Sequence, residues 1–370
     1  MKRLIYISDL DISGDKLLYE GVMKKMMLEI KTFQGMDYNV SYVYRKDGSA
    51  YLLHNENEIF LTTLLGQYYK DQSTIFKALR KILVPDDFSV IYLRYAGCSL
   101  NMTRFLKYMK TNKNILTLAE LPTFMKKWEP GTSLSGIVKF IIKKLIDNYM
   151  PKAIDYVVTF DSHKKLFGKP TIQIENFVDV DSIKVRDFKT VNNEIHLLAV
   201  AMATPSHGFD RVIKGLADYY SNNPTRKVIF HIVGGGSVIN QWKSLAQQLG
   251  VNDYIKFEGI KYGNELDSLF NSCQIGVASL AIFRKKCDKA SELKIREYLS
   301  RGIPFIYSAF EPEIGGLEYL QKVPHNESPI DINNLIEFID SIDFVKASSI
   351  LRSFAENKCI CASQFSKLPI

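Results

Sequence analysis

Val228–Ser237 reads VIFHIVGGGS, and its surroundings decide the fold. A β-branched and aromatic run predicts a buried strand, and the three glycines that end it predict a turn into a helix beginning near Val238. Glycines at such a turn let backbone N–H groups approach a phosphate or ribose with no Cβ in the way; equally, they allow a tight connection. The dinucleotide fingerprint needs glycine at 234, 236 and 239, and position 239 is Ile, which disfavours NAD. The phosphate-loop ending Gly-Lys-Ser/Thr is absent too.

Outward from this stretch, apolar runs alternate with helical patterns. Strands are predicted at Ile195–Ala201, Lys227–Val233, Tyr254–Phe257, Ile275–Ser279 and Pro304–Tyr307. Helices are predicted between them at Asp210–Tyr220, Ile239–Leu249, Asn264–Ser272 and Ser291–Ser300. An upstream series has strands at Leu4–Ser8, Asn39–Tyr44, Val90–Arg94, Ile115–Ala119, Ile154–Phe160 and Ile172–Ile174, with a hairpin over 51–63 turning at Asn55-Glu56-Asn57. Such alternation predicts α/β domains with parallel sheets. Val178–Glu194 is polar and aperiodic and reads as a linker. The expected domains are 1–185 and 190–345, followed by a tail, 346–370. Helices are expected at Leu335–Ser341 and Val345–Asn357.

A chain of 370 residues holds about two and a half domains at roughly 150 residues each. Its 46% hydrophobic and 24% charged residues exclude disorder, collagen and coiled coil. No apolar run approaches the ~18 residues of a spanning helix, and Asp9 and Asp11 break the apolar start at Leu4–Ile7, so no secretory signal is expected. Five cysteines without zinc spacing predict a reduced, cytoplasmic chain. The net charge of +8 suits anionic ligands, lipid head groups or nucleic acid. Nucleic acid is the weakest option, because aromatic and basic residues are not interleaved on a known module. Leu134–Tyr149 has unbroken helical spacing with Lys139, Lys143 and Lys144 on or beside its other face. That helix either faces a core or, with Lys126, Lys127 and Lys152, rests peripherally on an anionic membrane surface.

The second informative stretch is Ser291–Pro304, SELKIREYLSRGIP. Ser291 reads as an N-cap, Glu292 suits the positive helix end, and Gly302 before Pro304 reads as a stop. The helix start offers free N–H groups and partial positive charge to a diphosphate. Lys294 and Glu297 share a face, either as a solvated pair or as a phosphate contact and a ribose contact.

Together these stretches resemble the retaining GT-B glycosyltransferases called group 1 (family 4-like), in their bacterial polysaccharide-biosynthesis branch. The resemblance rests on His231–Gly236, Ile255-Lys256-Phe257-Glu258-Gly259 and Glu297-Tyr298-Leu299-Ser300-Arg301-Gly302-Ile303-Pro304. More loosely, Ile174-Glu175-Asn176-Phe177-Val178-Asp179 is similar to the family's I-P-N-G-V-D, and Glu20-Gly21-Val22-Met23 to its Gly-Gly turn. The resemblance implies two facing Rossmann-like domains and a C-terminal helix that crosses back to the first. It also implies transfer of a sugar from a nucleotide diphosphate sugar, UDP favoured, to a saccharide or lipid-linked saccharide, for capsule, exopolysaccharide or other surface glycan. No metal and no separate cofactor are implied.

The same resemblance makes Glu297 the ribose contact. The family's earlier glutamate falls on Lys289, leaving Asp288 or Glu292 to stand in. Its diphosphate-gripping Arg and Lys fall on Met202 and His207, so Arg211, Arg284, Lys285, Lys286 and Lys294 are the candidate replacements. Gly234, Gly235 and Gly236, with Ser291 and Leu293, complete the expected donor site. Glu120, His207 and Arg211 are the expected catalytic residues, Glu120 standing where relatives often have a histidine. Gly14, Gly21 and Thr123 are expected on the acceptor side. His163 is expected to be exposed, His231 to be a core histidine, and Trp128 and Trp242 to pack. Two other functions remain open: a non-catalytic nucleotide-sugar-binding partner subunit, and a nucleotide-sugar 2-epimerase of the same fold.

Overall fold

A computed structural model describes residues 2–8, 16–94, 99–112, 114–121, 153–160, 162–188, 194–222 and 224–370. The helix expected over Leu134–Tyr149, together with Gly14, Thr123 and Trp128, lies outside the described residues.

Two compact units divide the chain. The first comprises Met1–Glu175 and Cys361–Ile370, the second Asn176–Ile360. In the first unit the described strands are β1 (Lys2–Ile7), β2 (Tyr38–Lys46), β3 (Ser49–His54), β4 (Asn57–Thr63), β5 (Val90–Arg94), β6 (Leu116–Leu121), β7 (Tyr156–Thr159), β8 (Lys165–Leu166) and β9 (Lys169–Gln173), in the order β4-β3-β2-β1-β5-β6-β7-β9-β8. The central strands are parallel, and β2, β3 and β4 form an antiparallel extension. Asn55 and Glu56 at the β3–β4 turn have φ of 49° and 67°, the left-handed conformation that closes a two-residue hairpin. Helices α1 (Lys16–Gly35), α2 (Tyr68–Ile82) and α3 (Leu100–Met109) accompany the sheet. Ile5, Ile7, Ile91 and Leu93 pack with Phe76, Leu79, Phe105 and Leu106 in one core.

The second unit is a wholly parallel sheet of β10 (Glu194–Val200), β11 (Lys227–Val233), β12 (Ile255–Gly259), β13 (Ile275–Val277), β14 (Phe305–Tyr307) and β15 (Leu320–Lys322). Its order, β12-β11-β10-β13-β14-β15, is that of a doubly wound nucleotide-binding sheet. The helices are α4 (Phe209–Ser221), α5 (Ile239–Gln248), α6 (Gly263–Ser272), α7 (Leu293–Arg301), α8 (Ile332–Asp340) and α9 (Phe344–Lys358). The strands are apolar on both faces because helices cover both. Leu197, Ala199 and Phe230 pack against Val212, Leu216 and Trp242, while Leu198 and Val233 pack against Phe270, Ile295 and Tyr298.

The expected linker behaves differently. Residues 176–188 belong to the second unit, where the Val178 N–H bonds the Cys359 carbonyl at 2.9 Å and Arg186 donates to the Cys273 carbonyl at 2.7 Å. Helix α9 also stays there, with Arg352 donating to the carbonyls of Ile183 (2.8 Å) and Ser300 (2.9 Å). Only 361–370 return to the first unit, where α10 (Cys361–Phe365) sets the Phe365 ring 4.7 Å from Phe33. Among the described residues, no helix is long and apolar enough to cross a membrane.

Candidate functional site

A doubly wound sheet opens a crevice where successive connections leave in opposite directions, outside the carboxyl ends of the two strands at the switch. In the second unit those strands are β10 and β13. Three segments meet at that point: the turn after β10, Ser279 after β13, and the first turn of α7.

The turn after β10 passes through Pro205–His207 into Gly208, whose φ of 65° starts α4. The Thr204 N–H donates to His207 Nδ1 at 2.9 Å. That acceptor role puts the ring proton on Nε2. Burial, then the cations Lys294 and Lys285, hold the imidazole down at about 2. His207 is therefore a neutral donor through Nε2–H.

Gly234 and Gly236 have φ of 121° and 137°, and Cβ atoms there would stand 2.0 Å and 2.2 Å from the carbonyl oxygens of Ala201 and Ala203. The Ala203 N–H bonds the Gly235 carbonyl at 2.6 Å. The glycines thus let the turn after β11 lie against the turn after β10.

Ser279 is buried and donates to Glu292 Oε2, while Lys294 Nζ donates to Ser279 Oγ at 3.0 Å and lies 3.4 Å from the same Glu292 oxygen. Only 12% of the Lys294 side chain is exposed, and burial pulls its ammonium below the usual lysine range despite Glu292. The first N–H groups of a helix have no intrahelical partner, and no side chain caps those of α7. Lys294 thus adds a buried cation to the positive end of a helix dipole.

Several expected residues take other positions. Ser291 is not the N-cap; Glu292 occupies that position, and Ser291 Oγ instead accepts the Asn176 N–H at 2.7 Å. Arg211, expected at the diphosphate, is fully buried, because its guanidinium donates to the carbonyls of Ser328 (2.8 Å), Pro324 (2.8 Å) and Leu280. Arg284 closes its fork on both Asp210 oxygens at 2.8 Å and also donates to Glu327 and the Pro205 carbonyl. Both arginines strap the protein together. Of the two stand-in carboxylates, Glu292 lies beside Lys294, whereas Asp288 is exposed. Glu297 is half-buried and held by Arg301 at 3.0 Å; Arg301 in turn binds Asp267 at 2.7 Å. Leu293 opens α7, and Met202 is exposed. His231 is satisfied by Glu258 at 2.7 Å and by His196 at 2.9 Å. Trp242 packs in the core, and His163 is half-buried rather than exposed.

In the first unit the switch lies between β1 and β5. Tyr6 and Tyr92 are paired across these strands with rings stacked 5.5 Å apart. Glu120, expected to reach sugar hydroxyls, is completely buried beneath this end of the sheet. It accepts from Tyr92 Oη at 2.6 Å and pairs with Lys25 at 3.4 Å and Arg94 at 3.9 Å. Lys25 also pairs with Glu29 at 3.5 Å, and Tyr6 donates to Glu29. Burial raises the Glu120 carboxyl, but Lys25 and Arg94 outweigh it and hold it below the usual range. Glu29 goes the other way, pushed up to about 7 by burial and by Glu120. This network is invisible to motif reading, since Lys25 and Glu29 look like a solvated i, i+4 pair. Gly21 lies within α1, not in a turn after β1. Among the described residues, no group of three or more His, Cys, Asp or Glu could hold a metal ion.

No protein-family model matches the sequence, and no curated protein matches it either. Solved structures do match in fold. A glycosyltransferase from Rickettsia africae is 11% identical with a TM-score of 0.62, over 99% of this chain and 96% of that one. The trehalose-6-phosphate synthase OtsA is 10% identical with a TM-score of 0.66, over 99% and 98%. HepE from Anabaena, solved with UDP and glucose, is 13% identical with a TM-score of 0.56, over 98% of each chain. With its two α/β units built on parallel sheets, the chain has the GT-B fold of glycosyltransferases.

Proposed function

We propose that the chain is a glycosyltransferase that moves a sugar from a nucleotide diphosphate sugar, a UDP-sugar above all, to a saccharide acceptor. The observation that carries this reading is the Lys294 ammonium, buried in the uncapped first turn of α7 at the switch of the second sheet. As the bond from sugar to diphosphate breaks, negative charge grows on the leaving oxygen. Lys294, the α7 amides and the neutral His207 Nε2–H are suited to receive it, and preorganised donors of this kind supply much of an enzyme's rate enhancement. Glu297, steadied by Arg301, is the ribose contact on this reading. Retention, transfer without a metal and a role in surface-glycan assembly follow from the family resemblance. The UDP and glucose bound by HepE, a neighbour in fold, favour UDP as the nucleotide. The lysines of 134–149 support an acceptor presented on an anionic inner membrane surface. Co-sedimentation with anionic vesicles that ignores salt counts against that.

A second reading, a nucleotide-sugar-binding partner without turnover, is favoured by the engagement of Arg211 and Arg284 within the protein. Release of sugar from a panel of UDP-, GDP-, TDP- and ADP-sugars separates the two. Slow hydrolysis or transfer that Lys294→Ala abolishes supports the transferase; binding without any turnover supports the partner.

A further inference from the structure

Asn176, which the sequence pattern assigns to the close of the first domain, sits in the second unit at the corner before α7. Its N–H donates to Ser291 Oγ at 2.7 Å, and its side-chain amide donates to the Ser291 carbonyl. Its own carbonyl accepts from Arg296 Nε at 3.1 Å. Arg296 is fully buried and pairs with buried Glu311, Nη1 to Oε2, at 2.7 Å. The other Glu311 oxygen accepts the Glu292 N–H at 3.2 Å. The contacts close a circuit through Asn176, Ser291, Glu292, Glu311 and Arg296. Two backbone bonds strap the preceding segment to the one that carries Glu311: Phe310 N–H to the Asp288 carbonyl at 2.8 Å and Ala290 N–H to the Phe310 carbonyl at 3.1 Å.

A buried arginine–carboxylate pair is a weak stabilising device, since apolar replacements often serve as well. A closed circuit around one corner does something that packing does poorly: it fixes the direction in which the helix leaves. The next residues are Glu292, Leu293 and Lys294, so an error in that direction moves the ammonium and the open amides together.

We propose that Asn176, Arg296 and Glu311 are positioning residues of the donor site, holding the Ser291–Glu292 corner so that Lys294 and the first amides of α7 are aimed at a diphosphate. The inference rests on the donor-site reading above. It does not involve Glu297 and the ribose, which lie a turn further along the helix.

Binding of UDP-glucose and of uridine is measured calorimetrically for the full chain and for Asn176→Ala. Ser291→Ala serves as a second disruption and Ser291→Thr as its conservative rescue. Leu335→Ala, a core change elsewhere in the second unit, controls for lost stability. Amide exchange of 291–296 is followed in parallel. A charge-assisted hydrogen bond no longer aimed at the diphosphate forfeits about 10-fold or more in affinity, so Asn176→Ala and Ser291→Ala are expected to weaken UDP-glucose about 10-fold or more. Uridine binding stays unchanged, amide exchange at the corner quickens, and Ser291→Thr and Leu335→Ala bind like wild type. Quickened exchange with unaltered UDP-glucose affinity, or equal loss for uridine, overturns the positioning role. Wild-type protein that binds neither UDP-glucose nor any other UDP-, GDP-, TDP- or ADP-sugar overturns the donor-site reading first, and the positioning role with it; if another of these binds instead, it replaces UDP-glucose in the comparison.

Discussion

Lys294 Nζ donates to Ser279 Oγ at 3.0 Å, which ties the first turn of α7 to the segment leaving β13. This bond joins two sides of the crevice with a cation that burial disfavours. Its folded pKa lies below the unfolded value of 10.5, so the charge opposes folding at neutral pH and the loss lessens as pH rises. Lys294→Met should therefore unfold at the same temperature as wild type or higher, while losing the thermal shift given by nucleotide sugar. A lower melting temperature with the ligand shift retained contradicts this.

His207 gives a pH signature. Its imidazole is held at about 2 when folded against 6.5 when unfolded, so between those values only the unfolded chain takes up the proton. Stability is then lost as pH falls below 6.5, reaching about 2 kcal/mol at pH 5 from this group alone. Denaturant titrations from pH 7 to 5 should show a shallower decline for His207→Gln. Parallel declines contradict the assignment.

The buried network of the first unit predicts an asymmetry. Lys25→Met leaves two carboxylates with one cation and should destabilise by about 3 kcal/mol. Glu29→Gln should be neutral or stabilising at pH 8, because a carboxyl raised to about 7 opposes folding once ionised and its contribution falls away below the unfolded value of 4.5. Urea unfolding at pH 8 checks both. Equal losses would mean that the charges are not coupled as the distances indicate.

Gly234→Ala forces a side chain into the Ala201 carbonyl at a φ of 121°. A loss of about 3 kcal/mol is expected, with Gly235→Ala near neutral because only Ile260 lies close, at 3.8 Å. Thermal melts of the two variants make the comparison.

Five of the six strands of the second sheet were legible to within two residues, for a physical reason; the short edge strand Leu320–Lys322, half exposed, was not. Strands such as Lys227–Val233 and Ile275–Val277 are covered on both faces and so appear as largely apolar runs, with His231 the one polar residue inside the first. In contrast, α1 buries Lys25 and Glu29 against Tyr6 and Glu120, so its inward face does not look apolar. The site was legible in its residue types and less so in their partners. Arg211 and Arg284 are arginines where cations were expected, but each guanidinium is taken up by carbonyls or carboxylates from segments distant in sequence, which no local spacing encodes. Ser291 fits an N-cap by type, but Asn176, 115 residues away, claims its hydroxyl.

The central claim is that the second unit binds a nucleotide diphosphate sugar through Lys294 and the start of α7. Calorimetric titration of wild type and Lys294→Ala with UDP-, GDP-, TDP- and ADP-sugars tests it most directly. The account predicts that at least one sugar nucleotide, UDP-linked first, binds wild type and that Lys294→Ala weakens it about 10-fold or more, as losing a charge-assisted contact of 1.5–3 kcal/mol implies. No binding by any of the four classes, or equal affinity in the variant, contradicts it.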